Sequence, residues 1–133
     1  MRQTTQQQVQ QVGSDFIRRW YERIDAKAPF ETIAGDTVGA ELVVDFPNNP
    51  LDFDGFRRWY EGQCSNYTGC HHIHRTETAE EQGLLVIRAS ITWRAESRDR
   101  EEIVLYPDVT LRLRWEDGWR VCYYGCQDRA GEA

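Results

Sequence analysis

At 133 residues, with 40% hydrophobic and 12% aromatic content, the chain can bury one good core but cannot divide into two stable domains, so residues 1–133 read as a single domain. A formal charge of -6, with arginines interleaved among acids, excludes the basic face that nucleic-acid binding needs. No stretch approaches membrane-spanning length, and the polar start from Met1 to Gln11 lacks the charged-then-apolar order of a secretory signal, so the expectation is a cytoplasmic protein with neither membrane nor nucleic acid as partner.

In chain order, Thr4 or Thr5 can cap a first helix whose apolar positions Val9, Val12, Phe16, Ile17, Trp20, Tyr21 and Ile24 recur at three- and four-residue steps. Val12, Phe16 and Trp20 are expected to face a sheet. Pro29 opens a short second helix through Ile33, stopped by Gly35 and Gly39, and Leu42 to Phe46 reads as a first strand. Pro47-Asn48-Asn49-Pro50 reads as loop, since two prolines and two asparagines oppose both helix and ladder. Asp52 or Asp54 can cap a third helix that carries Phe56, Trp59 and Tyr60 and ends near Gly62. Strands follow over His71 to Glu80, Gly83 to Glu96 and Glu101 to Trp115, with a bulge or bend expected at Pro107.

The final hairpin is the most explicit local signal. A two-residue turn at Asp117-Gly118 would set Trp115 opposite Arg120 and mix charge into the apolar row. A three-residue loop ending on Gly118 instead pairs Trp115 with Trp119, Leu113 with Val121 and Leu111 with Tyr123, leaving Arg112, Arg114 and Arg120 on the other face.

The order of helices followed by long strands resembles the nuclear transport factor 2-like superfamily, in particular its SnoaL-like, polyketide-cyclase-like branch. The resemblance covers about the whole chain. It is carried by the first helix with Phe16 and Trp20, Val43-Val44-Asp45-Phe46-Pro47 ahead of Gly55-Phe56, His72-Ile73-His74, Ile91-Thr92-Trp93 and Asp117-Gly118-Trp119-Arg120-Val121. It implies an α+β cone, with three N-terminal helices packed on a strongly curved antiparallel or mixed sheet around an apolar pocket. A homodimer formed through the outer sheet face is also implied. In the steroid-isomerase-like members of that superfamily a general-base aspartate precedes the proline leaving the first strand. Phe46 holds that place here, with Asp45 one step away and therefore on the opposite strand face. The second acid of those members falls on Val109, beside Asp108, which would reach the pocket only if Pro107 bulged the strand.

The residues that could carry chemistry are few. His72 and His74 alternate onto one strand face, with His71 and Ile73 on the other, and parity alone leaves open which face is concave. Imidazoles suit proton transfer because they titrate near neutrality. They could equally sit at the exposed start of a strand, just as Asp45 and Asp108 could satisfy turn amides beside their prolines. The spacing of Cys64, Cys70 and the histidines argues against a metal, with neither a Cys-x-x-Cys pair nor a His-x-x-x-His helix present. Cys64, Cys70, Cys122 and Cys126 are expected to be reduced thiols, with the last two packed in the final strand. Trp20, Phe46, Tyr60 and Trp93 are the expected pocket walls, selecting a small apolar molecule, although aromatics facing a sheet also make ordinary core. Two functions stay open: a cofactor-free isomerase, cyclase or dehydratase using His72 or His74 with Asp45 or Asp108, and a non-catalytic ligand-binding or dimerisation module.

Overall fold

The computed structural model describes residues 5–129. Helix α1 (Gln6–Asp25) starts at a capping box, in which Gln8 N–H donates to Thr5 Oγ1 at 3.1 Å and Thr5 N–H donates to Gln8 Oε1 at 2.9 Å. Thr4, the other candidate cap, lies outside the described residues. Val9, Phe16, Ile17, Trp20 and Tyr21 form the buried stripe. Val12 does not join them and is 38% exposed. The reason is Gly13: a Cβ there would stand 1.9 Å from Thr78 Oγ1, so the helix meets the sheet at a glycine and turns Val12 outward.

A five-residue α2 (Phe30–Ala34) and a 3₁₀ turn (Gly39–Glu41) lead to β1 (Val43–Phe46). The Pro47 to Pro50 segment corrects the sequence reading. Asn48 takes φ 58, and the chain turns straight into β2 (Asn49–Leu51), antiparallel to β1 with Phe46 opposite Asn49 and Asp45 opposite Pro50. Pro50 is tolerated because β2 is an edge strand, whose outward amide side needs no partner. Helix α3 (Phe53–Asn66) is capped by Asp52, whose Oδ1 accepts Gly55 N–H at 2.7 Å, and it runs past Gly62, placing Cys64 on the helix.

The remaining strands are β3 (Tyr67–Glu81), β4 (Leu84–Ser97), β5 (Glu102–Leu105), β6 (Pro107–Trp115) and β7 (Trp119–Asp128). The sheet runs β2-β1-β7-β6-β4-β3, with β5 beside β4. Among the described strands β1 and β7 pair in parallel and the other pairs are antiparallel, so three helices pack on a curled mixed sheet that does not close. Helix α1 lies chiefly against β3.

Two irregularities decide which side chains point inward. On β3 the register passes from Ile73 opposite Ile91 to Arg75 opposite Ser90, so His74 is an inserted bulge residue. The inward set is therefore odd-numbered up to Ile73 and even-numbered from Thr76 to Thr78. On β7 Cys122 is the inserted residue. The hairpin pairs Trp115 with Trp119 and Leu113 with Val121 as its pattern requires, but Leu111 then faces Tyr124 rather than Tyr123. In its loop both Asp117 (φ 57) and Gly118 (φ 121) take positive φ. The expected irregularity at Pro107 is a break: Tyr106 separates β5 from β6, yet Ser90 faces Asp108 and Trp93 faces Leu105 in one unshifted register. All four cysteines are free. Among the described residues, no helix is long and apolar enough to cross a membrane.

Candidate functional site

The last turn of α1 delivers Asp25 to the edge of β3, where the backbone of His71 has no further strand to pair with. Asp25 Oδ2 accepts the His71 backbone N–H at 2.8 Å, and its Oδ1 lies 2.6 Å from His71 Nδ1. A carboxylate only accepts, so Nδ1 carries the hydrogen, and in the neutral imidazole Nε2 keeps the lone pair. One helical turn earlier Tyr21 stacks on the imidazole, with centroids 4.2 Å apart and planes at 29°. Trp93, directly opposite His71 across β3 and β4, covers the ring from 6.1 Å. The pair is mostly enclosed, with side-chain exposures of 14% for His71 and 21% for Asp25.

His71 and Asp25 form part of the wall of a cavity of about 330 Å³ bounded largely by rings: Tyr21, Phe46, Trp59, Tyr60, Tyr67, Trp93 and Tyr124. Phe46 and Trp59 meet at 4.8 Å, and Leu105, Pro47 and Pro107 add apolar surface. A second polar group sits behind this wall. The hydroxyls of Tyr21 and Tyr124 are 3.0 Å apart and buried, and the Cys126 thiol bonds to Tyr124. Burial holds both phenols well above their ordinary value, and burial pushes the Cys126 thiol up to about 12. All three therefore stay neutral near pH 7. Tyr60, raised first by burial and then by its bond with Cys64, donates its hydroxyl to the Ala28 carbonyl at 2.5 Å. Lys27 Nζ donates to Thr68 Oγ1 at 3.0 Å at the rim. Chemically, the wall offers an oriented imidazole lone pair beside neutral hydroxyl groups in apolar surroundings. Among the described residues, no group of three or more His, Cys, Asp or Glu side chains is placed to hold a metal ion.

No protein-family model matches the chain, and no curated protein matches it in sequence. Solved structures do match. A nuclear transport factor 2 (NTF2-like) superfamily protein from Salmonella enterica serovar Typhimurium superimposes with a TM-score of 0.80 at 14% identity, covering 93% of each chain. The fold is that of the nuclear transport factor 2-like superfamily. Aln2 from a Streptomyces species is similar over 99% of this chain and 97% of its own, with a TM-score of 0.72 and 15% identity. A ketosteroid isomerase-like protein from Erwinia carotovora atroseptica is similar over 91% of this chain and 94% of its own, with a TM-score of 0.69 and 9% identity.

Within this nuclear transport factor 2-like fold the sequence candidates separate clearly. Phe46, Tyr60 and Trp93 line the cavity, whereas Trp20 does not: it is 1% exposed, stacked on Phe56 inside the core. His72 and His74 lie outside the cavity on the exposed side of β3, their rings 4.6 Å apart and His74 Nε2 2.6 Å from Thr92 Oγ1. Strand parity sends them out for the same reason that it sends His71 in. Asp45 points away from the cavity and accepts the Tyr123 hydroxyl at 2.8 Å. Asp108 is likewise outside, because the break at Tyr106 inserts no residue and leaves it beside Arg129, whose Nε stands 3.2 Å away. The expectation that His72, His74, Asp45 or Asp108 would carry acid-base chemistry in the cavity is thus corrected: Asp25, Lys27, His71 and Cys126 line it instead. Cys122 and Cys126 do lie in β7, but Cys126 also faces the cavity. The residues missed by sequence reasoning are Asp25, His71 and the Tyr21–Tyr124 pair. The one available signal was that His71 and Trp93 occupy the rows that must share a face if Leu85, Ile87 and Ile91 are core.

Proposed function

We propose that the chain is a cytoplasmic small-molecule-binding domain whose cavity takes a flat, mainly apolar carbonyl or hydroxyl compound and moves a proton on it. The carrying observation is the Asp25–His71 pair in the wall of an aromatic cavity. Asp25 fixes the tautomer, and the His71 Nε2 lone pair removes a proton from carbon or oxygen while the Asp25 charge stabilises the imidazolium formed. The Tyr21–Tyr124 hydroxyl pair, held neutral by burial, uses one hydrogen between its own oxygens and offers at most the other as a hydrogen-bond donor for negative charge developing on an adjacent oxygen. Isomerisation, cyclisation and dehydration all fit this set, and none requires a cofactor. Likeness to a ketosteroid isomerase-like protein supports an acid-base reading.

A non-catalytic ligand-binding module is the second reading, favoured by Phe46: a buried ring stands where the steroid-isomerase-like members place their base. In either reading the chain pairs as a homodimer through the outer sheet face, where Val43 is 53% exposed. Sedimentation at micromolar concentration reads that directly, and a monomer overturns it.

Thermal-shift screening of flat apolar carbonyl compounds against wild type, His71→Ala and His74→Ala tests the main proposal. A compound at about one hundred times its dissociation constant stabilises the wild type by about 2.7 kcal/mol. His74→Ala keeps that shift, whereas His71→Ala loses turnover of the compound. Binding without turnover selects the module reading, and no binding by any compound overturns both.

A further inference from the structure

The Asp25–His71 pair has solvent on its far side as well. A second concavity, a groove of about 480 Å³, runs along the outside of the molecule between α1 and β3, with Gln11, Ser14 and Arg18 on one bank and Ile73 and Thr76 on the other. The residues that line both this groove and the aromatic cavity are Tyr21, Asp25 and His71. They form a partition one side chain thick. The partition is clamped: Gln10 Nε2 donates to the Thr76 carbonyl at 2.6 Å and its Oε1 accepts Thr78 N–H at 2.9 Å, which fixes α1 against β3 beside the groove. The groove's other charges are taken up among themselves, Arg18 standing 3.2 Å from Asp15 and 3.8 Å from Glu22.

We infer that this partition is a proton relay: a proton accepted by His71 from a molecule in the cavity leaves to water in the α1–β3 groove while the cavity stays occupied. The inference rests on the acid-base reading for its use in a reaction. The balance is simple. The bond from the ligand's hydrogen to its carbon or oxygen breaks with the electron pair left on the ligand, and Nε2 gains the proton to give an imidazolium paired with Asp25. The imidazolium then passes its Nδ1 proton through Asp25 to groove water, leaving the Nε2–H tautomer, and return of the Nε2 proton to the ligand with Nδ1 regaining one through Asp25 restores the starting pair, with no change of oxidation state. A ligand that fills the cavity and shuts out water then costs the base none of its exchange with bulk solvent.

Exchange of the imidazole Cε1–H with D2O, which requires water at the ring, tests this on the full chain without any ligand, with proton NMR following each histidine and His74 as an exposed reference. Cys64→Trp fills the cavity, with Gln63→Trp as a second filling variant, and Ser14→Trp covers the groove, with the exposed Gln11→Trp as its second. Amide spectra establish that each variant is folded. His71 exchange in the cavity-filled variants should stay within about twofold of wild type, while groove-covered variants slow it about tenfold with His74 unchanged. A tenfold loss in the folded cavity-filled variants, or wild-type exchange in the groove-covered ones, overturns the relay. Because the readout uses no turnover, a failed ligand screen leaves this result standing, and slow exchange leaves ligand binding standing.

Discussion

The two ends of the concave sheet face are built from the same strand alternation and finish differently. Towards the last hairpin, Leu85, Ile87, Leu111, Leu113 and Val121 are at most 1% exposed and belong to one cluster with Phe16 and Ile17. Towards the start of β3 the same rows continue as His71, Trp93, Leu105 and Pro107, which surround open space. Branched aliphatic side chains interdigitate to interior density, whereas flat rings fixed by stacking and hydrogen bonds cannot fold into each other's gaps. One end thus holds the fold together and the other holds a cavity.

The sharpest way to break that comparison is a pair of truncations. Leu111→Ala at the packed end should cost about 2–5 kcal/mol in chemical denaturation, because the fully buried site cannot collapse. Leu105→Ala at the cavity end, 40% exposed before truncation, should cost less than about 1 kcal/mol. Equal costs would mean that the two ends are packed alike. Next in size is Asp25→Asn, which removes the charge that receives two hydrogen bonds from His71 and should cost about 1.5–3 kcal/mol. For any compound the protein turns over, the same change lowers the rate about 10²–10⁴-fold with binding retained. A rate unchanged by Asp25→Asn would take the pair out of the chemistry.

Alkaline titration separates the two ends in another way. The Cys126 thiol rises from 9.0 to about 12 on burial, so the folded state holds this proton more tightly than the unfolded chain does. Its contribution to stability is complete below pH 9.0 and is lost as pH climbs towards 12, with the raised Tyr21 and Tyr124 acting in the same sense above their ordinary 10.0. Denaturation midpoints should therefore fall from about pH 9 upward, and Cys126→Ala should make the first part of that fall shallower. A variant whose alkaline profile matches wild type would refute the assignment. The smallest effect belongs to His74→Ala: an exposed bulge residue bonded to Thr92, it should change stability by no more than about 0.5 kcal/mol and leave ligand binding as it was.

Features whose partners lie a few residues apart were legible in the amino-acid order. The Thr5 and Asp52 caps, the stripe of α1 apart from Val12, and the loop that pairs Trp115 with Trp119 follow from local hydrogen bonds and from a period of 3.6 or 2. The order of elements was enough to place the chain in its fold, and Phe46, Tyr60 and Trp93 in the wall of the cavity followed from that order. Everything that hangs on parity across an irregularity had to wait for the folded chain. A strand reverses its faces with each residue, so nothing in the run His71-His72-Ile73-His74 chooses the imidazole that enters the cavity. That choice was made by α1 covering β3 and by the bulge that absorbs His74. In the same way the inserted Cys122 shifted Leu111 to Tyr124, and the unslipped break at Tyr106 kept Asp108 outside. Asp25 and His71 stand 46 residues apart, in a helix end and an edge strand that carry no shared motif. Their pairing exists because an edge strand leaves an amide unpaired, and the chain folds so that a carboxylate arrives there.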